Sequence, residues 1–132
     1  MSPRNTQITD QLTDTCPTRE LLERIGSKWS IQIIGELTAG TRRFTELERA
    51  IDGISRRMLA RTLRGLERDG LLIRTVYATV PVTVEYTLAP LAAGLVEPLT
   101  ALVDWARTHR TDVLSARHAY DTAHDNTGQG DC

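Results

Sequence analysis

The stretch from Ser55 to Gly70 constrains this chain more than any other. It reads Ser-Arg-Arg-Met-Leu-Ala-Arg-Thr-Leu-Arg-Gly-Leu-Glu-Arg-Asp-Gly. Leu59, Leu63 and Leu66 recur at i, i+4 and i+7, the interval that gathers side chains on one face of a helix. Arg57, Arg61, Arg64 and Arg68 recur at the same interval on the opposite face. Ser55 stands where a hydroxyl can accept from backbone N–H groups left without partners in the first turn. Gly70 follows where a left-handed cap ends a helix. The segment is therefore a helix with one face for a core and another for an anion or for water. A guanidinium is permanently charged and offers a planar fork of donors, suited to phosphate oxygens and to the acceptor edge of guanine. A merely solvated charged face has the same composition, so the neighbouring segments must separate the two readings.

Upstream, Phe44, Leu47 and Ile51 are spaced i, i+3, i+7 and predict a short helix from about Phe44 to Ile51. Asp52-Gly53-Ile54 is a tight turn, with Gly53 free to take a positive φ. Two short helices joined by such a turn form a helix-turn-helix, whose second helix enters a major groove. Before this pair, Leu21, Leu22 and Ile25 predict the apolar face of a first helix that begins near Cys16-Pro17-Thr18. Ser27 caps a second helix carrying Trp29, Ile33, Ile34 and Leu37, which Gly40 closes. Thr41-Arg42-Arg43 is a short extended link.

After Leu71 the period changes from helical to alternating. Leu72 to Tyr77 and Thr83 to Leu88 are rich in β-branched and aromatic residues, as strands are. Pro81, in the intervening Ala78 to Val82, marks the turn because proline cannot join a ladder. A hairpin directly after a helix-turn-helix is a wing. Its tip would lie beside the minor groove and backbone, and Arg74 either reaches a phosphate or is simply solvated. Beyond Pro90, Leu91, Leu95, Leu99, Leu102 and Ala106 recur every three or four residues, with Val103 and Trp105 alongside. Pro98 should kink or divide this helix. So apolar a helix, following a complete small core, either packs back on its own domain or pairs with its copy. Twofold pairing is favoured, since two half-sites require it. Asp112 to Ala123 is a weaker helical stretch.

Net charge is −1, discouraging for a DNA binder until its distribution is seen. Thr41 to Arg74 holds nine arginines against five acids, whereas Thr75 to Cys132 holds seven acids against three arginines. The basic block is a candidate footprint for a polyanion. No run of about 18 apolar residues predicts a membrane span, and the polar N-terminus is not a secretory leader, so a cytoplasmic location is expected. Cys16 and Cys132 make no disulfide framework, and His109, His118 and His124 have no ligand spacing. Neither metal nor cofactor is expected.

These segments together resemble the HxlR-type regulators, a branch of bacterial winged-helix repressors and activators related to the MarR group. The resemblance is carried by Cys16-Pro17, Gly26-Ser27-Lys28-Trp29, Arg43-Phe44-Thr45-Glu46-Leu47, Gly53 to Leu59, Leu63 to Leu71, Pro81 to Leu88 and Asp104-Trp105-Ala106, in the family's order and spacing. It covers about Cys16 to Thr108. Ser27 stands where the family often has a second glycine, and Ala89-Pro90 where a threonine is common; neither bears on DNA contact. The resemblance implies a homodimer on a palindromic operator. It implies recognition-helix contacts at Ser55, Arg56, Arg57, Arg61 and Arg64, and backbone anchors at Arg43 and Thr45. Several relatives sense electrophiles or oxidants through a cysteine just before the first helix, the place of Cys16. The positive end of a helix favours a thiolate there on physical grounds as well, although a small structural cysteine is the plainer alternative.

The expected fold class is α+β and mostly helical: a winged helix-turn-helix, with a three-helix core plus β-hairpin wing and C-terminal dimerisation helices. Residues 1–15 would be a flexible arm, 16–89 the DNA-binding core, 90–123 the dimerisation helices and 124–132 a disordered tail. The expected activity is non-enzymatic: sequence-specific regulation of transcription on double-stranded DNA, open to a redox, electrophile or small-molecule effector, with no membrane partner. Arg43, Arg57, Arg68 and Arg74 would hold phosphates; Ser55, Arg56, Arg61 and Arg64 would probe base edges. Leu95, Leu99, Leu102 and Trp105 would form the dimer interface. The rival readings are a winged helix that binds an acidic protein partner and, more remotely, a thiol-dependent redox enzyme using Cys16.

Overall fold

The computed structural model describes residues 16–124. The expected arm over residues 1–15, Cys132, and the expected tail apart from His124 lie outside them. In chain order the elements are α1 (Cys16–Ile25), α2 (Lys28–Leu37), β1 (Arg42–Arg43), α3 (Phe44–Ala50), α4 (Arg56–Arg68), β2 (Leu72–Tyr77), β3 (Thr83–Leu88), α5 (Pro90–Thr108) and α6 (Arg110–His124). The chain divides into two compact units between Val96 and Glu97.

In the first unit the core is built where the apolar stripes predict it. Ile33, Ile34 and Leu37 of α2, Leu47 of α3, and Leu59, Leu63 and Leu66 of α4 are buried. Ile51 and Ile54 seal the turn between α3 and α4, and Leu71, Leu72 and Tyr86 close the core from the sheet side. Burying a side chain of this size contributes about 1.5–3 kcal/mol, so this face of α4 anchors it and leaves the arginine face outward. Ser30 is the one buried polar residue among those described. Its hydroxyl accepts from Ser27 Oγ at 2.9 Å, while Ser27 Oγ caps α2 by accepting from Ser30 N–H at 3.2 Å.

α4 is capped at both ends by its own sequence. Ser55 Oγ accepts from Met58 N–H at 3.0 Å. At the other end Gly70 takes φ +80°, Gly70 N–H donates to Glu67 O, and Leu71 N–H donates to Leu66 O, each at 2.9 Å. This is a Schellman cap, closed by the buried pair Leu66 and Leu71. It turns the chain directly into β2.

The wing is larger than a hairpin. β1 joins β2 and β3 in a three-stranded antiparallel sheet of order β1-β3-β2. Arg42 lies opposite Tyr86 and Arg43 opposite Glu85, while Arg74 lies opposite Tyr86 from the other side. The extended link before α3 is thus a strand, and it ties the start of the helix-turn-helix to the wing.

One apolar expectation turns out differently. Leu21 and Leu22 are exposed, and only Ile25 of the expected α1 face is buried. Pro98 does not divide α5, which runs from Pro90 to Thr108 as one helix. In the second unit, Trp105 and His109 stack with ring centroids 4.5 Å apart, and Tyr120 and His124 do so at 3.9 Å. Each histidine Nδ1 also bonds the backbone oxygen four residues earlier at 2.9 Å. These local contacts account for two of the three histidines.

Candidate nucleic-acid interface

The site begins at the entry to α3. Arg43 N–H donates to Glu46 Oε1 at 2.8 Å, so an acid in the first turn satisfies a donor that the helix leaves free. That bond fixes the entry angle of the chain and leaves the Arg43 and Thr45 side chains exposed. Gly53 takes φ +86° in the turn that follows, a conformation that glycine adopts without penalty.

Arg56, the first residue of α4, is held from two sides. Its Nη1 donates to Glu48 Oε1 of α3 at 2.7 Å, and its guanidinium lies 5.0 Å from the centroid of the Phe44 ring. An exposed pair of this kind contributes about 0.2–1 kcal/mol, and an exposed cation–π contact about 0.5–1 kcal/mol. Arg56 therefore helps set the angle between the two helices.

The same guanidinium lines a cleft of about 420 Å³ between the helix-turn-helix and the wing. Arg43, Phe44 and Thr45 form one wall, Arg74 and Tyr86 belong to the sheet, and Pro81 to Val84 supply the wing side. No carboxylate is among the lining residues. Four residues singled out from sequence (Arg43, Thr45, Arg56 and Arg74) therefore meet in one cationic groove. Arg56, expected at base edges, lines this cleft with Arg43 and Arg74, which were expected at phosphates.

Arg57, Arg61 and Arg64 are exposed on the outer face of α4, and none has an ion-pair partner among the described residues. They rise along one side of a rod, spanning roughly 10 Å at 1.5 Å per residue. Ser55 is exposed at the tip of that rod. Arg68 lines a second cleft with Pro17, Glu20, Leu21, Arg24 and Asp69, beside the Arg24–Asp69 ion pair that joins α1 to the end of α4.

Sequence reasoning missed Glu48, Phe44 and Thr83 as parts of the site. The Arg56–Glu48 pair spans eight residues across a turn, outside the i, i+4 spacing that signals helical pairs. Cys16 is the first residue of α1. On α5, Leu95 and Leu99 are half-buried, whereas Leu102 and Trp105 are exposed. Among the described residues no group of His, Cys, Asp and Glu is placed to hold a metal ion, and no helix is long and apolar enough to cross a membrane.

Comparison with known proteins agrees with this geometry. Residues 24–113 match the family described as HxlR-like helix-turn-helix. The chain is 43% identical over 104 residues to the HTH-type transcriptional regulator YtfH of Escherichia coli, covering 79% of this chain and 82% of that protein. The solved structure of the YtfH regulator of Salmonella typhimurium superposes with a TM-score of 0.73 at 41% identity, covering 80% of this chain and 94% of that one. The redox regulator HypR in its reduced form superposes with a TM-score of 0.67 at 36% identity, covering 76% and 98% respectively.

Proposed function

Because the chain belongs to the HxlR-like helix-turn-helix family of DNA-binding transcriptional regulators, we propose that two copies of it grip a palindromic operator. In each copy α4 lies in a major groove. Arg61 and Arg64, with Ser55, face base edges, where a bidentate arginine–guanine contact discriminates by about 1–3 kcal/mol. Arg43, Thr45, Arg56 and Arg74 hold the backbone strand that runs through the cleft beside the wing, and Arg57 holds phosphate at the groove edge. Arg68, at the far end of the rod, reaches phosphate only where the duplex bends toward it. The observation that carries this reading is the carboxylate-free cleft, which joins Arg43, Arg56 and Arg74 next to an arginine-faced helix.

A symmetric pair joined through α5 would read two half-sites one turn of the duplex apart, about 34–36 Å. Leu102 and Trp105, both more than half exposed in the single chain, supply the apolar surface for it, with Leu95 and Leu99 on the same helix. The place of action is the cytoplasm. Selection of duplexes from random DNA tests the proposal: an inverted repeat with half-sites about one turn apart is expected. A protein that retains no duplex, or retains all equally, refutes it.

A second reading concerns the signal. The likeness to a redox regulator and the position of Cys16 at the head of α1 favour an oxidant or electrophile acting at that thiol. Modification changes DNA affinity only as far as its energy differs between the DNA-competent and incompetent states. Operator affinity before and after oxidant, in wild type and Cys16→Ser, tests it; identical responses remove Cys16 from the mechanism.

A further inference from the structure

Two residues of α4 break local rules, and one side chain from α1 accounts for both. Gly65 stands in the interior of a 13-residue helix, where only proline is a poorer choice than glycine. Asp69, the C-cap, puts a negative charge at the end where the helix dipole favours a positive one. Such departures from local preference gather at functional or strained places. The three nearest atoms that a Cβ at Gly65 would meet all belong to the Arg24 side chain, Nη1 foremost. The missing methyl is therefore the space in which the guanidinium lies. From there Arg24 Nε, cut off from water, reaches Asp69 Oδ2, and the contact is an ion pair rather than a directed hydrogen bond. Asp69 N–H donates to Gly65 O at 3.1 Å, so notch and acid belong to one turn. With Asp69 only 19% exposed, water screens this pair less than it screens Arg56 and Glu48.

We propose that Arg24 is a positioning residue for operator reading: seated in the Gly65 notch and paired with Asp69, it holds α4 at the angle from which Arg61 and Arg64 reach base edges. The inference rests on the operator-binding reading above and adds to it a residue outside the DNA-facing surface. At 3.6 residues per turn, Gly65 and Asp69 share the flank of α4 that separates its leucine face from its arginine face, and Arg56 lies on the other flank. The helix is thus pinned to α3 at its start, through Arg56 and Glu48, and to α1 at its end, through Asp69 and Arg24. The two pins stand roughly 20 Å apart along the axis. An apolar stripe alone lets a rod roll and tilt on its bed; pins at both ends, on opposite flanks, resist both motions. A tilt of about 10° over that length carries one end by roughly 3.5 Å, more than the geometry of a hydrogen bond to a base allows.

The test compares binding of the full chain to the duplex that the wild type selects from random DNA and to a scrambled duplex, well below the unfolding temperature. Arg24→Ala is expected to weaken binding to the selected duplex about tenfold, within the range of one lost base contact. The scrambled duplex, held through its phosphates, should be bound as before, with the slope of log K against log salt unchanged. Asp69→Asn removes a negative charge, which alone would strengthen binding to every duplex; the ratio of selected to scrambled should fall nonetheless. Gly65→Ala should lower that ratio in the wild type, where the new methyl displaces the guanidinium, and lower it no further in Arg24→Ala. A folded Arg24→Ala protein with the wild-type ratio makes the pair structural only and overturns the proposal. An equal loss on both duplexes also overturns it, because Arg24 would then act through phosphate. If Arg24→Ala does not fold, Asp69→Asn and Gly65→Ala decide, and a wild-type ratio in both is the refuting result. If the wild type itself binds the two duplexes alike, the operator reading falls and the positioning role with it.

Discussion

Arg56→Ala should separate two duties that the geometry places on one side chain. Its bond to Glu48, at 2.7 Å, joins an arginine 66% exposed to a glutamate 29% exposed. Water screens such a pair, so it contributes about 0.2–1 kcal/mol; the contact with Phe44 adds about 0.5–1 kcal/mol. Removal should therefore cost about 1 kcal/mol of stability, read as a lower denaturant midpoint with an unchanged slope. A double-mutant cycle with Glu48→Gln isolates the pair, and the coupling should be about 0.5 kcal/mol. The same substitution takes a cation from the cleft, so the salt slope of DNA binding should fall by about 0.9. Arg61→Ala should do the opposite: no change in midpoint, with operator affinity weakened by about 1–3 kcal/mol. Two results would refute the reasoning about Arg56: a midpoint equal to wild type, or zero coupling with Glu48.

Other outcomes follow from the packing. Leu63→Ala, at a site 1% exposed, should destabilise the fold by about 2–5 kcal/mol; urea unfolding measures it, and a loss under 1 kcal/mol would mean that the α4 stripe is not core. Gly65→Ala should fall short of the roughly 1 kcal/mol that alanine normally gains over glycine inside a helix. Its Cβ would occupy the place of the Arg24 guanidinium and so disturb the Arg24–Asp69 pair; a full gain in thermal stability would show that this pair contributes nothing. Leu102→Glu together with Trp105→Ala should yield monomers in sedimentation with the helical signal retained, whereas a dimer of undiminished stability would move the interface elsewhere.

Much of this was legible because it is local. The Ser55 and Gly70 caps, the leucine stripe of α4 and the bounds of β2 and β3 depend on residues within a few positions of one another. What escaped was joined across distance. β1 pairs Arg42 with Tyr86, and no periodicity in a two-residue strand announces a partner so far along the chain. Arg68 continues the arginine spacing of α4, yet its end of the helix faces the α1 cleft. Leu21 and Leu22 have the spacing of a buried face but are exposed; spacing reports which side chains share a face, not what covers it. Pro98 was expected to kink or divide α5; it does not divide it, because proline removes only one donor and the helix continues on both sides. Within the candidate site, the arginines were visible as a charged stripe. Their division into a cleft group and a helix-face group required the wing to be in place.

Chemical interference footprinting on the selected duplex tests the central claim most directly. Methylation of guanine N7, which lies in the major groove, should block binding at two patches about one helical turn apart, and Arg61→Ala should relieve the block at one guanine in each half-site. Interference confined to a single patch, or to the minor groove alone, would mean that α4 does not enter two major grooves.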